Sequence, residues 1–381
     1  MIIRDGARRL ILMATIFDYL NWRGDISFNE DPFNEVDNLI LAELTYTQFD
    51  GLTGEDGEPV TIEEVREGFF GTHDRTEIKK DDNPIVRAPL LMDGMVSGRR
   101  FAGTELSFYV NMIDSEKDLQ MAAVTYRLND GSYYIAFRGT DNTIVGWKED
   151  FTMSYLPETE GQRRAVEYLN KVGPLCGGKI RVGGHSKGGN FAVYASAFCN
   201  SEIRDKIETV YSNDGPGFRN EVMNKDEYIA VLPKVISIVP DTSVIGMLLT
   251  SKVEHLIVDS SERGFAQHDG MSWQVMRNRF VPAWPSDLGL FIRNTQTDWL
   301  SKLSDELRES FVDTLFSLFE ATGMGTFDAM GDSKLKSAES IISAMQELPK
   351  KKQKELLQIF KELISSGGKT VFSPKDDRRE D

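Results

Sequence analysis

The sequence predicts an α/β fold: a mostly parallel central sheet between helices, preceded by an α-rich region and followed by a helical extension. Three observations carry that expectation. Short apolar runs alternate with helical spacings through the middle of the chain, from Met121 to Val258. One run, Ile180-Arg181-Val182, stops at Gly183-Gly184-His185-Ser186-Lys187-Gly188 and passes into a helix containing Ala192, Ala195, Ser196 and Ala197. From Thr295 onward the pattern is helical alone, with Leu300, Leu303, Leu307, Phe311, Leu315 and Leu318 three or four residues apart.

A chain of 381 residues can bury a large core, as one domain with additions or as two domains. Hydrophobic residues make up 40% and charged residues 27%, ordinary for a soluble globular protein, and no apolar run nears membrane-spanning length. A net charge of -16 argues against a nucleic-acid surface and against docking on anionic lipid, so neither nucleic acid nor a stable membrane anchor is expected. The two cysteines, Cys176 and Cys199, are too few for a disulfide framework and lack zinc-site spacing. A reducing cytoplasm is the expected location. Arg8-Arg9 and the apolar Leu10–Phe17 look like the start of a signal peptide. The run is short, however, Asp5 precedes it, and Asp18-Tyr19 stand where a small-residue cleavage site belongs, so an amphipathic helix is expected.

Residues 1–110 form the α-rich region, packed on or covering the core. Val36, Leu39, Ile40 and Leu44 have helical spacing, and Thr61 with Glu64 makes a capping box for a helix over Ile62–Phe70. The charged stretch Thr72–Asp82 is expected to be an exposed loop. The α/β core spans 111–290. Met121–Leu128 and Ser132–Arg138 are β-rich and joined by Asn129-Asp130-Gly131, a hairpin signal. A helix over Gly161–Val172 follows, then the strand into Ser186 and a helix through Phe198. Strands at Ile207–Tyr211, Val235–Val239 and Val253–Val258 come next, with a helix near Val222–Tyr228. The extension, 291–372, reads as three helices. Gly323 stops the first; the second carries Leu335, Ala338, Ile341, Ile342 and Met345 and ends at Pro349; the third carries Leu356, Leu357, Phe360, Leu363 and Ile364. Their apolar stripes are expected to pack on a neighbour, a protein partner included. The charged tail, 373–381, is expected to be disordered.

The chemistry is expected at Ser186. A serine on a tight strand-to-helix turn needs small neighbours two positions away, here Gly184 and Gly188, and the next helix aims its N-terminus at the reacting group. A serine hydroxyl also needs a base, and an acid to orient that base. The chain has four histidines. His73 and His185 precede Ser186, and His185, adjacent to it, is expected to point away. His255 lies in the strand-like Val253–Val258. His268, in the polar loop Gly264–Gly270, is therefore the preferred base. For the acid, Asp241 ends an apolar strand and is preferred. Asp214, in the loop Ser212–Gly217, is the alternative and is expected to shape the pocket rim; Asp259 comes third. The oxyanion donors are expected to be the backbone N–H of Lys187 and Thr140, the latter within Phe137-Arg138-Gly139-Thr140-Asp141.

Taken together, Ala136-Phe137-Arg138-Gly139-Thr140, Trp147, Asp150 and Gly184-His185-Ser186-Lys187-Gly188 resemble the class 3 lipase branch of the α/β hydrolases. With Gly188-Gly189-Asn190 and Asp18-Tyr19-Leu20-Asn21-Trp22-Arg23-Gly24 added, the chain also resembles a little-characterised bacterial group of lipase-like proteins. The resemblance implies an α/β-hydrolase fold, the triad Ser186, Asp241 and His268, and the oxyanion donors Thr140 and Lys187. It implies a lipase- or esterase-like serine hydrolase that cleaves a small-molecule or lipid acyl ester or thioester through an acyl-enzyme, with no metal and no cofactor. Lys187 stands where that family usually has an apolar residue, and Pro216-Gly217 alters the loop after the next strand, which points away from an extracellular fat-digesting lipase. Acyl transfer by the same residues, and an inactive hydrolase fold serving as a protein-binding module, are the alternatives.

Overall fold

The computed structural model describes residues 14–54, 57–141, 144–321 and, further on, 350, 352–354, 359 and 361. One eight-stranded sheet runs in simple chain order. Its strands are β1 Val60–Thr61, β2 Glu105–Asp114, β3 Leu119–Arg127, β4 Tyr133–Phe137, β5 Ile180–His185, β6 Ile207–Asn213, β7 Val235–Pro240 and β8 His255–Val258. The pairings from β1 to β4 are antiparallel, and the four from β4 to β8 are parallel. The turn at Asn129-Asp130-Gly131 joins β3 to β4, with Gly131 at φ +80°.

Among the described residues six helices precede β2: α1 Ile16–Arg23, α2 Glu35–Leu44, α3 Ile62–Thr72, α4 Arg75–Lys80, α5 Pro84–Arg87 and α6 Leu91–Ser97. Between β4 and β5 lie α7 Ile144–Thr152 and α8 Glu160–Val172; between β5 and β6, α9 Lys187–Phe198 and α10 Ser201–Lys206. Helices α11 Asn220–Met223 and α12 Asp226–Val231 lead to β7, and α13 Asp287–Ser301 and α14 Asp305–Ala321 follow the sheet. Because successive strand side chains face opposite ways, β4 divides its residues between two cores. Tyr134 and Ala136 join a cluster with the apolar residues of α1, α2, α3 and α6 and with Trp273 and Phe280. Ile135 and Phe137 join a second cluster with α8, α9 and α12.

Helix α2 is fixed most firmly. Asn34 caps it by accepting from Val36 N–H at 2.9 Å, and Asp37 returns a bond to the Asn34 N–H. The fully buried Asp37 also holds the Arg100 guanidinium and accepts from the Tyr19 hydroxyl at 3.0 Å. At the next residue, Asn38 and Asn213 exchange side-chain amide bonds of 2.8 and 3.1 Å, tying α2 to the end of β6.

Three expectations change. The stretch Thr72–Asp82 is not all loop: Asp74 accepts from Thr76 N–H at 2.7 Å and starts α4, while Lys79 and Lys80 occupy its last turn. Strand β2 was not expected; a bulge between Ser107 and Val110 breaks its alternation. The first helix of the extension is two helices, α13 and α14, with the break at 302–304, where Ser304 Oγ accepts from Leu307 N–H at 3.4 Å. The helices expected over 335–345 and 356–364 and the tail 373–381 lie outside the described residues, apart from 359 and 361. So do residues 1–13 of the N-terminal run. Among the described residues no helix is long and apolar enough to cross a membrane.

Candidate active site

The four parallel pairings bring the C-terminal ends of β4 to β8 to one edge, and each end opens into a loop that can carry a functional group. The end of β5 is the sharpest turn. Ser186 has φ 56° and ψ -133°, outside the regions an L-residue ordinarily adopts, a conformation that costs about 1–3 kcal/mol and needs support from its surroundings. The support is visible. The Ser186 N–H donates to Asn213 O at 2.8 Å. A Cβ on Gly184 would stand 2.4 Å from Phe137 O, and one on Gly188 only 2.1 Å from it, so β4 can approach only because both positions are glycine. Helix α9 begins at Lys187, whose N–H, as the first of the helix, has no intrahelical acceptor.

His268 comes to Ser186 from the loop after β8. Its Nε2 lies 3.0 Å from Ser186 Oγ and its Nδ1 lies 2.6 Å from Asp214 Oδ2. The carboxylate can only accept, so Nδ1 carries the proton and Nε2 is free to accept from the serine hydroxyl. Asp214 is fully buried at φ +50°, with its N–H bonded to Ile238 O at 2.7 Å and its second oxygen receiving the Ser243 hydroxyl.

The carboxylate that meets His268 is therefore Asp214, and not Asp241 as expected. Asp241 Oδ1 accepts instead from Ser286 N–H at 2.6 Å, at the start of α13. The reason is sheet order. β6 lies directly beside β5, whereas β7 is two strands away, roughly 10 Å. Asp259 accepts from its neighbour Ser260 N–H at 2.9 Å. His255 lies in β8 with Nδ1 2.8 Å from Ser237 Oγ, and His73 stacks on Phe69 at 4.1 Å, so neither meets the serine.

Thr140, in the loop after β4, donates its hydroxyl to Asp150 Oδ2. Burial raises the Asp150 carboxyl to about 6, against the opposing pull of the Lys187 ammonium. Lys187 sends its side chain away from the cavity into a fully buried cluster, with Nζ 2.6 Å from Gln120 Oε1 and 3.1 Å from Glu149 Oε2. A lysine can thus stand at this position because Glu149 meets it in the interior.

The family model Mbeg1-like matches residues 95–317, more than half of the chain. The chain belongs to the Mbeg1-like family. This family is lipase-like. No curated protein matches the chain. Among solved structures it is similar to M37 lipase, at 16% identity over 56% of this chain and 69% of that one, with a TM-score of 0.34. It is also similar to a Rhizomucor miehei lipase propeptide complex, at 16% identity over 56% of this chain and 72% of that one, with a TM-score of 0.33.

In this Mbeg1-like chain, Ser186, His268 and Thr140 open into a cavity of about 680 Å³. The wall also holds Glu43 and Tyr46, at the end of α2 and just beyond, which the sequence reading did not single out, and His185, which was expected to point away. His185 Nε2 lies 2.8 Å from His268 O, and a carbonyl can only accept, so this nitrogen carries the proton. Nδ1, 3.0 Å from the Tyr46 hydroxyl, is then the acceptor. Burial, with the neighbouring His268, holds the His185 imidazole well below its usual range, which keeps it neutral. Its ring lies 4.7 Å from that of His268, so it braces the loop that carries the base. Among the described residues no group of three or more histidines, cysteines, aspartates or glutamates is placed to hold a metal ion.

Proposed function

We propose that this protein is a serine hydrolase that cleaves a carboxylic ester or thioester through an acyl-enzyme. The observation that carries the reading is the unbroken hydrogen-bonded series Ser186 Oγ, His268, Asp214, whose first two members line the cavity and whose third is buried behind them. In this reading His268 Nε2 takes the hydroxyl proton as Ser186 Oγ bonds to the acyl carbon, and Asp214 holds the ring and stabilises the imidazolium. The acyl oxygen, now negative, is met by the backbone N–H groups of Lys187 and Thr140. His268 then gives its proton to the departing alcohol or thiol. Water attacks the acyl-enzyme by the reverse proton path, with His268 again the base.

Labelling by a fluorophosphonate probe tests this. The native protein is expected to be labelled and Ser186→Ala not at all, with His268→Ala slowed by about two to four orders of magnitude. A folded native protein that resists the probe, or labelling that persists in Ser186→Ala, overturns the proposal.

A further inference from the structure

The cavity beside Ser186 has a mixed wall. Its aliphatic lining is Pro84, Ile85 and Ala266, while Glu43, Asp82, Glu262 and Asp269 bring carboxyl groups and Arg87 brings a guanidinium. Within this wall Glu43 stands apart, because its side chain is almost wholly buried and yet Oε1 has no hydrogen-bond partner. His185 Nδ1 lies 3.6 Å from Oε1, and that nitrogen already accepts from Tyr46. Space has been kept for the carboxyl, since a Cβ on Gly270 would come within 2.3 Å of Oε1. Buried polar groups are ordinarily satisfied, and one left open on a cavity wall beside a reactive serine is available to a ligand.

We propose that this cavity takes a polar acyl substrate, an ester or thioester whose unreacting part carries a hydroxyl or amide group, and that Glu43 receives that group. The proposal rests on the serine-hydrolase reading of Ser186. Burial, reinforced by Asp269, holds the Glu43 carboxyl well above its usual range, so it keeps its proton. A carboxyl with a proton both donates and accepts, which matches a hydroxyl or an amide. A site built to hydrogen-bond such a group discriminates against the analogue that lacks it, because the buried partner is then left open.

The test compares kcat/KM within pairs of nitrophenyl esters: β-hydroxybutyrate against valerate, and N-acetyl-β-alanine against its hydrocarbon counterpart of equal length. Ethylene glycol monobutyrate against propyl butyrate places the hydroxyl on the leaving side. The native protein is expected to favour the polar member of at least one pair by about 10- to 100-fold. Glu43→Leu is expected to bring that ratio near one, and Glu43→Gln, which still donates and accepts, to keep most of it. Glu43→Met serves if the leucine variant does not fold. Equal or reversed preference in every pair, or a preference that survives Glu43→Leu, overturns the proposal. Fluorophosphonate labelling without polar preference sinks this inference alone, whereas absence of labelling removes the hydrolase reading and this inference with it.

Discussion

Asp214 and Asp241 both follow an apolar strand, and only one meets the imidazole. Asp214→Asn keeps the volume of the acid but leaves the base without an anion and free to take the wrong tautomer. It is expected to slow fluorophosphonate labelling by about three to four orders of magnitude. Asp241→Asn is expected to label at close to the native rate and to show its effect, about 1 kcal/mol, in urea unfolding, since it weakens a bond at the start of α13. The reverse pattern would return the acid to Asp241. What separates legible from illegible residues here is range. Ser186 is readable because its strain is relieved by its own neighbours, Gly184 and Gly188. His268 is readable because few histidines compete. The acid is not, because the choice depends on which strand lies beside β5, and chain order alone does not say so. Glu43 and Tyr46 hide for another reason: they stand in or just beyond the apolar run of α2, where the spacing reads as core packing.

Elements joined by local signals were equally readable. The capping box of Thr61 and Glu64 opens α3, and Asn129-Asp130-Gly131 turns β3 into β4. Elements defined by a partner were not. β2 is recognisable by its ladders with β1 and β3, and the single helix expected beyond Thr295 is divided at 302–304 despite an unbroken apolar spacing. The joint between α7 and α9 also depends on a partner, since Lys187 and Glu149 are each fully buried. Glu149 additionally accepts the backbone N–H groups of Gln120 at 3.0 Å and Gly161 at 2.8 Å. Lys187→Met would strand that carboxylate and is expected to cost about 3–5 kcal/mol in urea unfolding. Adding Glu149→Gln is expected to recover only part of that cost, because the stranded charge is gone but one of the two backbone N–H groups then faces an amide NH2. Simple additivity of the two changes would show that the pair is not coupled.

For the whole molecule, buried carboxyls set how stability responds to acid. The folded chain holds Asp150 at about 6 against an ordinary 3.8, so between these values the folded form binds a proton that the unfolded chain has already released. This group's contribution to stability therefore falls as pH rises through that window and is constant above it. Asp150→Asn keeps the bond from Thr140 and cannot titrate. Its stability relative to the native protein is expected to rise from pH 4 to pH 6 and then level off, as read from urea midpoints. A difference that is flat across the window would show that Asp150 ionises as it does in water. The stretch shared with the Mbeg1-like family, 95–317, contains Ser186, Asp214, His268 and Thr140. Glu43, Tyr46 and the cavity residues from Asp82 to Arg87 come before it. In the proposed function the shared stretch supplies the reaction and the segment before it supplies part of the wall around the substrate, so exchanging the opening segments of two members is expected to exchange their taste for substrates.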